Sequence, residues 1–75
     1  MHYKLGKCLL LSLINRKGWT QAEFARRMGV TRQFVNDLIS GKAKMSFEFA
    51  INAAHLLDCS TSDLYELKIE RNRKE

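Results

Sequence analysis

Apolar residues in this chain recur every three to four positions, which is the spacing of an amphipathic helix. The first stripe comprises Leu5, Leu9, Leu10, Leu13 and Ile14. It predicts a first helix that ends near Lys17 and Gly18, after a short frayed segment at residues 1–4. Leu11 lies off this stripe, which leaves two interpretations open: burial under the C-terminal segment, or contact with a second subunit.

Two further helix starts follow in close succession in the middle of the chain. Thr20 is a suitable N-cap, and Glu23 three residues later completes a capping box. Thr31 repeats the N-cap signal. Gly29 and Gly41 end the two helices, because glycine adopts the left-handed conformation at little steric cost. Two short helices joined by a glycine-containing turn form a helix-turn-helix unit.

The apolar residues of these two helices predict their inner faces. The residues expected to point inward are Phe24, Ala25, Met28, Val35 and Leu38. Trp19 and Val30 each precede an N-cap, where they are placed to pack on the following helix as hydrophobic staples.

The last third of the chain adds two more predicted helices. A basic loop at residues 40–45 leads to a fourth helix that begins after Ser46. The residues expected on its core face are Phe47, Ala50, Ile51, Ala54 and Leu57. Ser60 and Asp63 match a further capping box, which predicts a short fifth helix that reaches Leu67.

No proline, internal repeat or alternation of apolar and polar residues interrupts this series. The prediction is therefore all-α: a compact five-helix domain at residues 1–67, followed by a charged tail at 68–75. A chain of 75 residues with 45% hydrophobic content is one folded domain. Its longest apolar run, Cys8–Leu11, is too short to cross a bilayer and follows no signal-peptide pattern, so we expect a cytoplasmic protein.

Charge and the absence of catalytic motifs narrow the functional classes. Thirteen Lys and Arg residues against eight Asp and Glu give a net charge of +5, which favours a polyanionic partner such as nucleic acid. The sequence has no nucleophile elbow, phosphate-binding loop or metalloprotease motif, so we expect no enzyme, no catalytic residue, no cofactor and no small-molecule ligand. A zinc site is not favoured either, because only His55 and Cys59 have the local spacing of ligands.

The middle of the chain also carries a family resemblance. The residues that carry it are Thr20-Gln21, Glu23, Ala25, Gly29-Val30-Thr31, Arg32-Gln33, Ser40-Gly41-Lys42 and the stretch from Leu57 to Leu64. With them, residues 18–67 resemble the DNA-binding domain of the lambda-repressor/Cro-like helix-turn-helix family, also called the Xre family. The resemblance implies that the third helix enters the major groove of DNA.

Residues in the first turns of the third helix are the predicted base readers. Arg32 and Gln33 come first, and Asn36 and Asp37 follow one turn later on the exposed side. Arginine can form two hydrogen bonds with guanine, and glutamine or asparagine can form two with adenine. We therefore expect Arg32 and Gln33 to read bases; the alternative is that both are merely solvated.

A second group of residues is predicted to contact DNA phosphates. In the family the matching glutamine grips the backbone and braces the recognition helix, so the resemblance gives Gln21 this role. The remaining predicted phosphate contacts are Thr31, Lys42 and Lys44. Arg26 and Arg27 lie on the second helix, where each either faces DNA or only solvates the surface.

Some residues depart from the family pattern. Phe34 is expected either to pack on a thymine methyl group or to fold back onto the second helix, and Asp37 either to accept from cytosine or to repel phosphate. Ile39 and Phe49 are apolar where charge is expected and are candidates for a subunit contact. Asp58 replaces a common glycine, which predicts a less comfortable turn.

The function expected from these features is that of a DNA-binding transcriptional repressor. A homodimer would place two recognition helices in successive major grooves of a pseudo-palindromic operator. Its subunit contact is expected in the fifth helix and tail, or on the first helix. The alternative is an antitoxin or protein-interaction module of the same fold, which the apolar Phe34, Ile39 and Phe49 favour.

Overall fold

The computed structural model of the protein describes residues 2–70. Its elements are strand β1 (His2–Cys8), helices α1 (Leu10–Arg16), α2 (Gln21–Met28), α3 (Arg32–Ser40) and α4 (Phe47–Leu56), one 3-10 turn (Thr61–Asp63) and strand β2 (Tyr65–Glu70). The two strands pair in antiparallel direction and form a two-stranded ribbon. The described part of the chain is therefore a helical body with a ribbon made from its two ends.

Apolar residues from all four helices form the core of the helical body. The largest fully buried side chains are Phe24, Leu10, Ile14, Leu38, Leu57, Leu64 and Val35. Four of the five residues predicted to point inward from α2 and α3 are buried, and Met28 is half-buried against the same core. The helical periodicity therefore identified the inner faces of α2 and α3 correctly.

The predicted ends of α2 and α3 are confirmed. The Thr20 hydroxyl oxygen accepts a hydrogen bond from the Glu23 backbone N–H at 3.1 Å, and the Thr31 hydroxyl accepts from the Phe34 N–H at 3.0 Å. Gly29 and Gly41 close the two helices with φ of 73° and 91°. These are left-handed values that a side chain would strain.

The predicted start of the first helix is wrong. Helix α1 begins at Leu10, and Leu5 lies instead in β1, opposite Leu67 of β2. The Leu9 backbone N–H donates to the Leu64 carbonyl oxygen at 2.8 Å, which ties the end of β1 to the residue before β2. Residues 2–8, which were predicted to be a frayed segment and the start of a helix, therefore form a strand that pairs with β2.

The predicted fifth helix is also wrong, and with it the purely α-helical class. The Ser60–Asp63 capping box forms, with the Ser60 N–H donating to the Asp63 carboxylate at 3.0 Å. It opens only one 3-10 turn. The expectation that the chain has no apolar–polar alternation is wrong here, because Tyr65–Glu70 alternates and pairs with β1. The predicted charged tail begins inside β2, and residues 71–75 lie outside the described part of the chain.

The predicted core face of α4 is correct at Ala54, Leu57 and the partly buried Ala50, and wrong at Phe47 and Ile51. Its buried residues are Ala53 and Ala54, with Leu57 directly after it, whereas Phe47 is 76% exposed and Ile51 is 45% exposed. Helix α4 has two apolar stripes, and the one with small alanine side chains lets the helix approach the core more closely. Within residues 2–70, none of the helices is long and apolar enough to span a membrane.

A glycine allows the irregular pairing of the ribbon. The register shifts between Leu5 and Cys8, as in a β-bulge. A Cβ atom placed on Gly6 would lie 3.0 Å from the Glu66 Cβ and 3.0 Å from the Lys68 Cε, so a larger residue would crowd β2 and require a small shift at Glu66. Glycine inside a strand often marks such a close approach of two strands, and Gly6 lies where the register shifts.

Candidate nucleic-acid interface

The turn between α2 and α3 determines where the predicted DNA-contacting side chains lie. After Gly29, the Val30 backbone N–H donates to the Ala25 carbonyl oxygen at 3.0 Å, which folds the turn back against α2. As a result, residues from the first turns of both helices line one surface groove: Gln21, Arg32, Gln33 and Asn36. A neighbouring groove shares Gln21 and Arg32 and continues toward Leu11 of α1.

Two of the predicted base readers are exposed and unpartnered. The Arg32 guanidinium and the Asn36 amide face the groove, and neither makes a hydrogen bond or ion pair with any residue of the described part. Polar groups of this kind are available to a ligand without first breaking an internal contact. Both stand on α3, whose backbone is fixed by the buried Val35 and Leu38.

Gln33 and Asp37 are linked to each other. The Gln33 Nε2 donates a hydrogen bond to the Asp37 Oδ1 at 2.9 Å, across one turn of α3. An amide nitrogen carries two hydrogens, so one N–H of Gln33 and its carbonyl oxygen remain available. The Asp37 carboxylate therefore limits the orientations of the Gln33 side chain.

The predicted phosphate contacts are divided between two places. Gln21 is the first residue of α2 and lines both grooves, and Thr31 is the N-cap of α3 beside them. Lys42 and Lys44 are exposed in the loop after α3 and line neither groove. Neither lysine has a partner among the described residues, so both charges are available at the C-terminal side of α3.

The two arginines of α2 form ion pairs within the helix. The Glu23 carboxylate lies 2.6 Å from the Arg26 guanidinium and 2.6 Å from the Arg27 Nε. Arg27 also stacks over the Trp19 ring, with 4.4 Å from its Cζ to the ring centre. The hydrogen bond from Arg26 is the main reason that the pKa of Glu23 is lowered. Glu23 thus pairs with arginines instead of completing the predicted capping box.

The cysteine thiols show no sign of activation. Burial raises the pKa of both Cys8 and Cys59, so both thiols stay protonated near neutral pH. In the part of the chain that the structure describes, no three His, Cys, Asp or Glu side chains converge as metal ligands would.

Comparison with known proteins assigns the family. A family model described as helix-turn-helix matches residues 10–64, which span all four helices and the 3-10 turn. The chain belongs to the lambda-repressor/Cro-like helix-turn-helix family. A relative from Bacillus subtilis (strain 168), YopS, is named an SPbeta prophage-derived uncharacterized HTH-type transcriptional regulator. It is 36% identical over 72 residues, which cover 92% of this chain and 95% of the relative.

The departures from the Cro-like pattern have structural explanations. Phe34 packs edge-to-face on Phe49, with 5.7 Å between ring centres and 80° between ring planes. Both rings and Ile39 are partly buried against the core. Asp58 has a positive φ of 56°, as predicted for a position where Cro-like domains commonly have glycine. Its carboxylate lies 2.7 Å from the Lys17 Nζ, a contact that also lowers the pKa of Asp58.

Two features of this Cro-like domain were not predicted from the sequence. The bond between Gln33 and Asp37 has a recognisable signal, since a glutamine and an aspartate four residues apart on a helix face can contact each other. The edge-to-face pair of Phe34 and Phe49 has no comparable signal, because it joins two helices across the loop that carries the lysines.

Proposed function

We propose that this chain is a transcriptional regulator that binds double-stranded DNA sequence-specifically, with α3 in the major groove. The family match and the name of the Bacillus relative support the class of function. The observation that carries the proposal is the single groove lined by Gln21, Arg32, Gln33 and Asn36 at the first turns of α2 and α3. Backbone and base contacts of a helix-turn-helix unit come from this region.

Base reading is assigned to the exposed side chains of α3. Arg32 has no partner within the described residues and is free to form two hydrogen bonds with guanine O6 and N7. Gln33 keeps one N–H and its carbonyl oxygen available while bonded to Asp37, which is the donor–acceptor pair that adenine N7 and N6 require. Asn36 can read adenine in the same way. Each such contact discriminates by about 1–3 kcal/mol.

Asp37 is assigned a positioning role. A carboxylate near the DNA backbone is unfavourable unless its charge is engaged. Here it accepts a hydrogen bond from Gln33, so it holds the Gln33 amide in place and contributes to the choice of base through that amide.

Phosphate binding is assigned to two flanks of α3. On one flank, Gln21 stands at the positive N-terminal end of α2, with Thr31 beside it. On the other flank, Lys42 and Lys44 are exposed cations in the loop after α3. Contacts at both ends of the recognition helix would fix its angle in the groove without reading sequence.

The regulator is proposed to act as a repressor in the cytoplasm, without catalysis, cofactor or small-molecule ligand. Two copies would read a pseudo-palindromic operator whose half-sites are about 34 Å apart, and would exclude polymerase sterically. A homodimer doubles the number of base and phosphate contacts, which a domain of 75 residues alone supplies sparingly.

Selection of binding sites from a random duplex library, repeated at two salt concentrations, tests this proposal. The expected result is an enriched inverted repeat with half-sites one helical turn apart, and affinity that falls as salt rises. Salt-dependent binding without an enriched sequence would contradict base reading, because only the electrostatic contribution would remain.

A protein-interaction module is the second candidate. Phe34, Ile39 and Phe49, which favoured it, are packed against the core and offer little apolar surface. Phe47 on α4 is the observation that still favours it, since it is largely exposed. If no duplex sequence is selected, this candidate replaces the DNA-binding one.

A further inference from the structure

The ribbon has one apolar face that no described residue covers. Tyr3 pairs with Ile69 and Leu5 pairs with Leu67. Opposite residues in an antiparallel pair, and residues two apart along a strand, point to the same side. Tyr3, Leu5, Leu67 and Ile69 therefore share one side, and they are 68%, 48%, 51% and 48% exposed. We call these four side chains the ribbon face.

The ribbon is anchored to the helical body at one end only. Cys8 is buried in the core, and the Tyr65 hydroxyl accepts a hydrogen bond from the Met45 backbone N–H at 3.3 Å. The pairs Leu5–Leu67 and Tyr3–Ile69 lie progressively farther from this anchor. The elongated outline of the molecule, 48 Å by 23 Å by 21 Å, fits a ribbon that extends from the body.

An exposed ribbon of this kind is unfavourable in isolation. Two strands without a covered apolar face are at best marginally stable in water. The exposed fractions of the four side chains correspond to roughly 400 Å² of surface, within the size range of apolar patches that often mark interaction sites. Their alternation with charged residues concentrates this surface on a single side.

We propose that the ribbon face binds the ribbon face of a second copy of this chain, forming the homodimer. This inference rests on the proposed function, because the role of the dimer would be to read two half-sites. A two-fold interface needs a surface that complements itself, and a patch of four aliphatic and aromatic side chains does so without charge repulsion at its centre. Packing the two faces together gives each ribbon the covering that it lacks.

The area predicts how strong this dimer is. Two ribbon faces would bury roughly 800 Å² in total, below the ~1,200 Å² at which stable interfaces begin. The dimer is therefore weak in free solution and is completed by two half-sites on one DNA duplex, which hold the copies at high effective concentration.

The ribbon face and the candidate DNA groove use different residues. None of the four residues lines the groove of Gln21, Arg32, Gln33 and Asn36. Each copy can therefore contact DNA and its partner at the same time.

Sedimentation equilibrium of the full chain over a wide concentration range tests the proposal. The variants are Leu67→Glu, which puts a charge on the ribbon face, and Leu67→Thr, which removes apolar area but keeps a residue that favours strands. The matched control is Ile51→Glu, because Ile51 on α4 is 45% exposed, close to the 51% of Leu67. Far-ultraviolet circular dichroism verifies that each variant is folded.

We expect a concentration-dependent dimer for the native chain and for Ile51→Glu. Leu67→Glu should raise the dissociation constant at least about tenfold and Leu67→Thr less, since the loss of apolar burial alone costs less than burial of a charge. A native chain that stays monomeric at the highest concentration, or a dimer that Ile51→Glu disrupts and folded Leu67→Glu does not, would overturn the proposal.

A parallel measurement separates this proposal from the proposed function. Each variant is titrated onto a duplex with one half-site and onto a duplex with two. If the ribbon face forms the dimer, Leu67→Glu should keep its affinity for one half-site and lose cooperative binding to two. A dimer sensitive to Leu67 with no sequence preference on DNA would refute sequence-specific DNA binding and leave the ribbon interface supported.

Discussion

Helices α2 and α3 are built alike and use their polar residues differently. Each begins with a threonine N-cap and ends with a left-handed glycine. In α2 the charges are paired with each other, since Glu23 contacts both Arg26 and Arg27. In α3 the Arg32 guanidinium and the Asn36 amide have no partner among the described residues.

This difference separates a supporting helix from a presenting helix. The paired charges of α2 are already engaged, whereas the unpartnered side chains of α3 keep their full hydrogen-bonding capacity for a ligand. Gln33 is intermediate, because it is bonded to Asp37 and keeps one N–H and its carbonyl oxygen available. The same amphipathic pattern and the same caps thus serve both roles.

Removing a large side chain from the core should destabilise the whole helical body. Phe24 of α2 is fully buried, so Phe24→Ala should lower the free energy of unfolding by about 3–5 kcal/mol. Urea unfolding followed by circular dichroism measures the change. Phe47→Ala is the matched control, and because Phe47 is exposed its effect should stay within about 0.5 kcal/mol. Similar losses for both would contradict the assigned core.

Removing one arginine from each helix should separate their roles on DNA. Arg32→Ala should weaken binding to the preferred duplex by about 1–3 kcal/mol and flatten the preference at one base pair. Arg26→Ala removes the same charge but breaks only a contact with Glu23, so it should weaken all sequences alike and by less. Competition binding with single-mismatch duplexes measures both effects. Unchanged base preference in Arg32→Ala would contradict the presenting role.

Removing the two N-caps should give equal stability effects and unequal binding effects. Thr20→Ala and Thr31→Ala each lose one capping hydrogen bond, at about 1 kcal/mol of unfolding free energy. Only Thr31→Ala should also reduce the preference among duplex sequences, because its cap orders the turn that carries Arg32. Thr31→Ser, which keeps the cap, is the control. Equal binding losses in both alanine variants would show that the helices share one role.

Lowering the pH should weaken the ion pairs within α2 and should change the stability only slightly. The hydrogen bond from Arg26 holds the pKa of Glu23 below its usual value, so the folded state favours the charged carboxylate. Its stabilisation is complete above the unfolded-chain pKa of about 4.3 and is lost as pH falls through the lower, folded-state pKa. The stability difference between the native chain and Glu23→Gln should therefore shrink between pH 6 and pH 3. A difference that is constant over that range would contradict the assigned ion pair.

The helical body could be predicted from the sequence because its signals are local. N-caps, left-handed glycines and a three-to-four-residue spacing lie within a single helix, and they located the ends of α2 and α3. The alternation in Tyr65–Glu70 was a local strand signal, but its pairing with β1 could not be predicted in this way, because Lys7 and Glu66, which contact each other across the ribbon, are 59 residues apart. Leu5 precedes Leu9 by four residues, so a strand residue completed an apparent helical stripe.

The candidate site was predictable in its membership but not in its internal contacts. Gln21, Arg32, Gln33 and Asn36 follow from helix starts and from the family resemblance, and the structure brings them into one groove. Whether an exposed side chain is already occupied depends on rotamers and on neighbouring helices. For that reason, two contacts could not be established from the sequence alone: the hydrogen bond between Gln33 and Asp37, and the stacking of Arg27 on Trp19.

The pairing of the two ends of the described chain has a consequence for the order of folding. Contacts within and between neighbouring helices close short loops, whereas joining β1 to β2 closes a loop that contains the whole helical body. The ribbon should therefore form last and open first, so its amide hydrogens should exchange with solvent sooner than those of α2 and α3. A chain that is still folding has no finished ribbon, which delays self-association until the rest of the molecule is complete.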